Sequence, residues 1–179
     1  CNSLVIHGFK HVVILNGHRV ANLPPLEIAV VRVRNQTGAA IAIVDLALIA
    51  GKEIRAVCES PPGGIGHGCE SETSFMLYKY GDQVKMERAV DSIPEGSDFE
   101  HRFVSVDHAI NLVENPKLSF PPTMEEYGQE RKATGVGGAA TLASADKGEK
   151  IFEAIASNTT RFVETFQKVS VSIKATIPP

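Results

Sequence analysis

The sequence predicts an α/β fold with a mainly parallel sheet. Two runs of β-branched and small apolar residues, 11–15 and 39–44, lack the alternation of a half-exposed strand, which is typical of strands buried on both faces of a parallel sheet. Segments with apolar residues at helical spacing follow both runs. Polar residues stand where the runs end, and open α/β sheets bind their ligands at the carboxyl ends of the strands. We therefore expect a functional site at those ends.

The composition indicates one globular domain over residues 1–179. The chain has 43% hydrophobic residues and a formal net charge of -3, which suits a protein with a buried core and disfavours disorder. The longest apolar run, residues 39–50, contains Asp45 and is too short for a membrane span. No cluster of Lys and Arg with aromatic residues indicates nucleic-acid binding. Three cysteines without zinc-ribbon spacing favour a reducing, cytoplasmic setting.

Glycine and proline positions bound the helices of the first third of the chain. A short helix is predicted before Gly8. Residues 22–25 (NLPP) are predicted to start a second helix, because proline suits the first helical turn, and this helix is predicted to end at Gly38. Residues 46–57 follow the second strand and are predicted to form one helix.

The rest of the chain divides into a short helix, an irregular region and a long helix. Residues 71–80 are predicted to be helical, and residues 81–134 are expected to form loops and short strands, with one strand at 103–106. The last helix, 145–169, is amphipathic. Its core-facing stripe consists of Ile151, Phe152, Ile155, Phe162, Val163 and Phe166.

The densest chemistry in the sequence lies in residues 66–74, GHGCESETS. A glycine-rich run precedes this stretch and an apolar helical pattern follows it, so it is predicted to be a loop that enters a helix. His67 then lies in the loop and Glu72 in the first helical turn. Each also has a purely structural interpretation, His67 as a loop histidine bonded to backbone and Glu72 as a carboxylate that stabilises the helix N-terminus.

Three ordered motifs carry a resemblance to a known family. They are GFKHVVILNGH at 8–18, GHGCESETS at 66–74 and GVGGAATLASADKG at 135–148. In this order they resemble the creatininase (creatinine amidohydrolase) family. The resemblance implies a three-layer α/β/α domain with a metal centre, usually two divalent ions, at the carboxyl ends of the parallel strands. It also implies hydrolysis of cyclic or linear amide C–N bonds of small molecules by metal-activated water, and assembly into homo-oligomers.

The resemblance further implies roles for individual residues. His18, in the Asn-Gly-His segment, and Glu72 look like metal ligands, and His67 is similar to the family's catalytic histidine. Imidazole and carboxylate ligands suit zinc, manganese and iron, so the metal is not specified. The structural alternative for His18 is a histidine that caps a strand end.

Other polar residues near the motifs are candidates for supporting a ligand or contacting substrate: Asn16, Asp45 and Glu70. Asp45 at a strand tip could orient a ligand or cap the next helix, and the sequence does not separate these interpretations. Glu70 lies two positions from Glu72 and faces another direction, which predicts a solvent-exposed carboxylate or one that supports a ligand. Cys69 is expected to be a small packed residue rather than a nucleophile.

The family's first motif, Glu-x-His-Gly-x-His-Leu-Pro followed by an aspartate, does not occur in residues 1–179. In the family this motif supplies most metal ligands, and a hydrolytic site needs three protein ligands or more. We therefore expect a processed or two-chain enzyme, cut before Cys1, whose N-terminal chain supplies them. Two alternatives stay open: a non-catalytic creatininase-like subunit for assembly or binding, and a self-processed hydrolase that uses Cys1 as its N-terminal nucleophile.

Overall fold

The computed structural model describes residues 1–60, 66–92 and 134–174. The strand expected at 103–106 lies outside the described residues. The chain forms two compact units, one made of Cys1–Glu53 and Phe152–Pro179 and the other of Ile54–Ile151. The single domain expected from the composition stays a prediction. Within the described ranges no helix is long and apolar enough to cross a bilayer.

Two parallel strands organise the first unit: β1 (His11–Asn16) and β2 (Ala40–Asp45). Their register pairs His11 with Ala40 and Asn16 with Asp45, so the strands end side by side. Both are rich in β-branched residues, which pack well on a pleated surface. The two strands predicted from the sequence are therefore confirmed, with bounds shifted by one residue.

Helices α1 (Asn2–Ile6) and α2 (Arg19–Thr37) accompany this sheet. The core of the unit consists of buried Val5, Val30, Ala39 and Ile41, with Val12, Ile14, Val33, Ile43 and Ile173 packed against them. The predicted start of α2 is wrong, because the helix begins at Arg19 and the prolines 24 and 25 lie inside it. Proline has a helical φ, but each of the two prolines lacks the N–H that would donate to the carbonyl four positions earlier.

The end of α2 is fixed by a threonine and a glycine. The fully buried Thr37 donates its hydroxyl to the Val33 carbonyl at 2.8 Å and accepts from the Ala39 N–H at 3.1 Å. Gly38 has a left-handed φ of 75°, and a Cβ there would lie 2.1 Å from the carbonyl oxygen of Ser172. The helix end predicted at Gly38 is confirmed, and both the backbone angle and the close approach require glycine.

Residues 46–57 form two short helices, α3 (Leu46–Ile49) and α4 (Gly51–Val57), instead of the single predicted helix. Ala50 between them has φ -117° and ψ 19°, and its side chain is fully buried. The side-chain amide of Asn158 donates to the Ile49 carbonyl at 2.8 Å, which gives the end of α3 a partner. Tertiary contacts therefore override the helix propensity of alanine here.

The second unit contains α5 (Glu70–Tyr80), the beginning of α6 (Ala145–Phe166), and a short antiparallel pair, β3 (Asp91–Ser92) with β4 (Gly138–Ala139). Helix α5 confirms the helix predicted at 71–80. Three single-turn 3₁₀ helices complete the described part of this unit: Gly81–Gln83, Met86–Arg88 and Ala140–Leu142.

Helices α5 and α6 meet at a glycine. A Cβ on Gly148 of α6 would lie 1.9 Å from the carbonyl oxygen of Ser74 and 2.8 Å from the Cβ of Tyr78, both in α5. The Ser144 N–H also donates to the buried Ser74 hydroxyl at 3.1 Å. The main chains of the two helices therefore lie so close at Gly148 that no side chain fits between them.

The apolar stripe predicted on α6 is partly correct. Ile151 is buried, and the rings of Phe162 and Phe166 stack with their centres 5.4 Å apart. Val163 is exposed, so its assignment to the stripe is wrong. Consecutive residues of a helix point about 100° apart, so Phe162 and Val163 cannot both face the core. Phe162 faces it at this turn.

Candidate functional site

Three of the predicted site residues lie at the strand ends of the first unit. Asn16 and Asp45 are the last residues of β1 and β2 and are register partners. His18 follows two positions after Asn16, has an extended backbone (φ -137°, ψ 104°) and is the N-cap residue of α2. Its side chain is exposed, so the imidazole stands between a strand end and a helix start and is accessible.

Asp45 caps the helix that follows it. Its Oδ1 accepts from the N–H groups of Ala47 and Leu48, both at 3.2 Å. These bonds satisfy donors at the start of α3 that have no intrahelical partner. Of the two interpretations open for Asp45, the cap is the one observed.

Within the described residues, the buried side chain of Asn16 has no hydrogen-bond partner. Its side chain is 3% exposed, and neither its Oδ1 nor its Nδ2 has a partner within the part of the chain that the structure describes. Leaving a buried polar group unpaired costs about 1–3 kcal/mol. The amide therefore offers one donor side and one acceptor side to a group that the described residues do not supply.

His67 is held in its loop by a two-bond bridge to Gly137. The His67 N–H donates to the Gly137 carbonyl at 3.1 Å, and the Gly137 N–H donates back at 2.7 Å. A Cβ on Gly66 would lie 2.1 Å from the Gly137 oxygen, and a Cβ on Gly138 would lie 2.6 Å from the Cβ of Cys69. The loop and β4 thus pack main chain to main chain, and the half-buried imidazole projects from a fixed backbone.

Glu72 stabilises the start of α5. Its Oε2 accepts from the Gly68 N–H at 2.7 Å, and Gly68 has a left-handed φ of 55°. A carboxylate in the first turn also interacts favourably with the helix dipole. The structural role considered for Glu72 is therefore observed, while its side chain remains exposed and its role as a metal ligand stays a prediction.

Of the two interpretations open for Glu70, the solvent-exposed one is wrong, because this carboxylate is completely buried, and support of a ligand stays a prediction. It accepts from the N–H groups of Glu59 at 3.0 Å and Ser60 at 2.8 Å, and from the Ser60 hydroxyl at 2.6 Å. The Lys147 ammonium donates to it at 2.5 Å. Glu70 points back beneath residues 59–60 instead of outward, since these donors compensate its charge there.

Lys147 forms an ion pair with the buried Glu70. Burial raises the pKa of Glu70, but the hydrogen bonds from Lys147 and Ser60 outweigh burial and lower that pKa to about 2. Burial lowers the pKa of Lys147, but its bonds to Glu59 and Glu70 outweigh that effect and raise the pKa above its usual value. Both groups are therefore charged at neutral pH. The Lys147 ammonium also donates to Glu59 at 2.6 Å and to the Leu142 carbonyl at 2.8 Å.

The three cysteines lie in different environments. Cys1 is exposed, Cys58 is half-buried and Cys69 is buried, and none of them forms a disulfide. Burial, followed by the nearby charge of Glu70, raises the pKa of the Cys58 thiol to about 11. The burial of Cys69 agrees with the packed role expected for it, and a nucleophilic role for Cys1 stays a prediction.

Lys147 is the residue of this region that the sequence did not single out. It lies in the first turn of α6, where the positive end of the helix dipole disfavours a cation. That position is a signal that the lysine needs acidic partners. The sequence does not identify Glu70 as the partner, since it lies 77 positions earlier.

The predicted site residues fall into two groups. His67, Glu70 and Glu72 share one loop and the start of α5 in the second unit, whereas Asn16, His18 and Asp45 share the strand ends of the first. Among residues 1–60, 66–92 and 134–174, no group of three or more His, Cys, Asp or Glu side chains could hold a metal ion.

A family model decides the classification. The creatininase model, described as creatinine amidohydrolase, matches residues 1–163. The chain belongs to the creatininase family. The resemblance inferred from the three sequence motifs is thereby confirmed. No curated protein sequence matches the chain.

Solved structures of creatininases share the fold. A glutamate-to-glutamine mutant creatininase complexed with creatine has a TM-score of 0.61 at 24% identity, covering 92% of this chain and 61% of that chain. A putative creatinine amidohydrolase from Bacteroides fragilis NCTC 9343 has a TM-score of 0.62 at 22% identity, covering 94% and 58%. A creatinine amidohydrolase (creatininase) has a TM-score of 0.63 at 23% identity, and the match covers 94% of this chain and 61% of that chain. The likeness confirms the predicted creatininase-like α/β fold, and the chain spans 58–61% of the length of these three creatininases.

Proposed function

We propose that this chain forms part of a metal-dependent amidohydrolase that cleaves a cyclic or linear amide C–N bond of a small molecule. The observation that carries the proposal is the match to the creatininase family over residues 1–163. The fixed position of His67 beside a helix that begins with two carboxylates supports it, because acid–base chemistry requires a group held within reach of the substrate.

The metal ligands that we propose in this chain are His18 and Glu72. Both side chains are exposed, and imidazole with carboxylate is a donor set that fits zinc, manganese or iron. Similar solved structures include a manganese creatininase and a mutant creatininase of a Zn–Zn type, which supports one or two divalent ions here. When bound, such an ion supplies an acidified water and a Lewis acid for the carbonyl.

His67 would act on the substrate directly. Its backbone is held by both bonds of the Gly137 bridge, so the imidazole has little freedom beyond its own side-chain rotation. An imidazole can donate a hydrogen bond to the amide carbonyl and pass a proton to the departing nitrogen. Asn16, whose buried amide has no partner among the described residues, would contact a ligand or the substrate. Asp45 and Glu70 would support the elements that carry these groups.

Metal content and turnover in matched variants test the proposal. The complete enzyme is assayed with creatinine and a panel of cyclic and linear amides, and its metal is measured by mass spectrometry. His18→Ala and Glu72→Gln should lose both metal and turnover, whereas His67→Ala should keep the metal and lose turnover. The control is His7→Ala, at an exposed histidine outside the motifs. Full activity in His67→Ala, or turnover by metal-free enzyme, contradicts the mechanism.

The remaining metal ligands are proposed to lie in the family's first motif, on an N-terminal chain that associates with this one. A hydrolytic metal site needs three protein ligands or more, and this chain offers two proposed ligands, which supports ligands from another segment. A cytoplasmic location and a homo-oligomer of the assembled unit also stay predictions. Native mass spectrometry of the purified enzyme should find a second polypeptide that carries the motif. An active, metal-loaded assembly made only of this 179-residue chain contradicts the two-chain arrangement.

A non-catalytic subunit is the second candidate. Two observations favour it. The Gly68 N–H donates to the Glu72 carboxylate, so this group already has a structural partner. Within the described ranges, no three His, Cys, Asp or Glu side chains form a group that could hold a metal ion. Measured metal content separates the two, since an assembly without metal or turnover supports the subunit. The self-processed hydrolase is tested by Cys1→Ala in the assembled enzyme, where unchanged turnover excludes Cys1 as the nucleophile.

A further inference from the structure

Glu70 joins two segments of the second unit. As the first residue of α5, it accepts hydrogen bonds at 2.6–3.1 Å from three donors, the Glu59 N–H, which is shared by both carboxylate oxygens, and the N–H and hydroxyl of Ser60. Its side chain is fully buried, so these bonds are shielded from water. In such an environment a charge-assisted bond holds its partners in a narrow range of positions. Glu70 therefore fixes residues 59–60 to the start of α5.

Lys147 adds a third segment to this junction. An ammonium group has three N–H donors, and those of Lys147 meet Glu59 at 2.6 Å, Glu70 at 2.5 Å and the Leu142 carbonyl at 2.8 Å. The last acceptor belongs to the 3₁₀ turn Ala140–Leu142, which directly follows β4. One cation thus ties together the start of α5, Glu59 and the 3₁₀ turn that directly follows β4. We call Glu70 and Lys147 the clamp.

The two elements joined by the clamp are those that hold His67. The start of α5 lies three residues after His67, and β4 begins one residue after Gly137, the bridge partner of His67. Cys69 and Gly138 are in such close contact that a Cβ on the glycine would lie 2.6 Å from the Cβ of Cys69. A change in the spacing between α5 and β4 must therefore move the His67 backbone.

A stabilising role alone does not explain an ion pair whose carboxylate is completely buried. Replacing such a pair by uncharged groups of similar volume is often neutral or stabilising, because the pair must be desolvated. We infer that Glu70 and Lys147 are positioning residues, which set the spacing between α5 and β4 and so place the His67 imidazole for reaction. The inference rests on the proposed function, since it gives the catalytic role of His67 a structural cause.

The experiment compares uncharged variants of the clamp with an exposed pair on the same helix. The double variant Glu70→Gln/Lys147→Met removes both charges together and leaves no buried charge unpaired. Glu149→Gln/Lys150→Met is the matched control, at exposed positions. A displacement of about 1 Å costs about 100-fold in rate, so we expect that loss in kcat of the clamp variant. Its KM and its metal content per chain should stay near those of the wild type, and the control should keep its kcat.

Amide hydrogen exchange gives a readout that does not depend on activity. In the clamp variant the N–H groups of His67 and Gly137 should exchange faster, while those of α6 beyond residue 151 should not. Ser60→Ala removes a single 2.6 Å bond to Glu70 and should show the same pattern more weakly, so it decides the matter if the double variant does not fold.

The outcomes separate this inference from the proposed function. A wild-type enzyme that hydrolyses no amide refutes the proposed function, and with it the catalytic consequence of the clamp. If the wild type is active, a folded clamp variant with unchanged kcat and unchanged exchange at His67 overturns the inference. A lower melting temperature with unchanged kcat per folded molecule also overturns it, because the ion pair would then only stabilise the fold.

Discussion

Replacing Gly148 by alanine should reverse the usual effect of this substitution. Inside a helix, alanine is more favourable than glycine by about 1 kcal/mol, so Gly148→Ala would normally stabilise α6. Here the new Cβ would lie 1.9 Å from the Ser74 carbonyl oxygen and 2.8 Å from the Cβ of Tyr78. Non-bonded carbon atoms settle at about 3.5–4.0 Å, so α5 and α6 would have to separate by about 1.5 Å.

The magnitude follows from the balance of these two effects. Overpacking a close contact costs about 1–3 kcal/mol, and more where main-chain atoms must move, as with the Ser74 carbonyl. With a cost at the upper end, about 3 kcal/mol, less the propensity gain of about 1 kcal/mol, we expect Gly148→Ala to lower the free energy of unfolding by about 2 kcal/mol. With a urea m value of about 2 kcal/mol/M, the unfolding midpoint should fall by about 1 M at unchanged m.

Gly81→Ala is the matched control. Gly81 has φ -51°, and a Cβ there would meet nothing within 4 Å, so this variant should be equal to or slightly more stable than the wild type. Both variants are compared by urea unfolding followed by circular dichroism. A Gly148→Ala protein with the wild-type midpoint or a higher one would refute the close approach of the two helices.

Three further predictions concern stability and thiol reactivity. The pKa of Glu70 is about 2 in the folded chain, below its ordinary value of 4.5. Its hydrogen bonds therefore stabilise the fold above about pH 4.5, and this stabilisation decreases as the pH falls towards 2. Urea unfolding at a series of pH values should show the decrease, and the stability of Glu70→Gln should depend less on pH. Asp45→Ala should cost about 1 kcal/mol of unfolding free energy through the lost cap, with exposed Asp82→Ala nearly neutral. Near pH 8 a thiol reagent should modify exposed Cys1 and spare Cys58, whose pKa is about 11; equal labelling in mapped peptides would contradict this.

The fold was predictable where local patterns determine it. The two strands follow from runs of β-branched residues, and Gly38 ends α2 because its backbone angle is left-handed. The break between α3 and α4 was not predictable. It depends on the burial of Ala50 and on an amide from Asn158, which lies 109 positions from its acceptor at Ile49. Contacts at such separation leave no mark on the periodicity of residues 46–57.

The site shows the same division. A glycine-rich run before an apolar helical pattern was enough to place His67 in a loop and Glu72 in a first turn. The burial of Glu70 was not predictable from its neighbours, since the charge is compensated by Lys147 and by two backbone N–H groups of residues 59–60. The spacing along a helix predicts the direction in which a side chain points, but it does not predict which hydrogen-bond donors lie in that direction.

The glycines opposite His67 have a consequence for recognising related proteins and for redesigning this one. The histidine is held through main-chain hydrogen bonds, and there is no room for a methyl group at Gly66 or Gly138. Its position therefore depends on glycines in two stretches that are far apart in the sequence. A graft that copied only GHGCESETS into another scaffold would carry the imidazole and the carboxylates without their support. A graft would have to include the GVGG run at 135–138 as well.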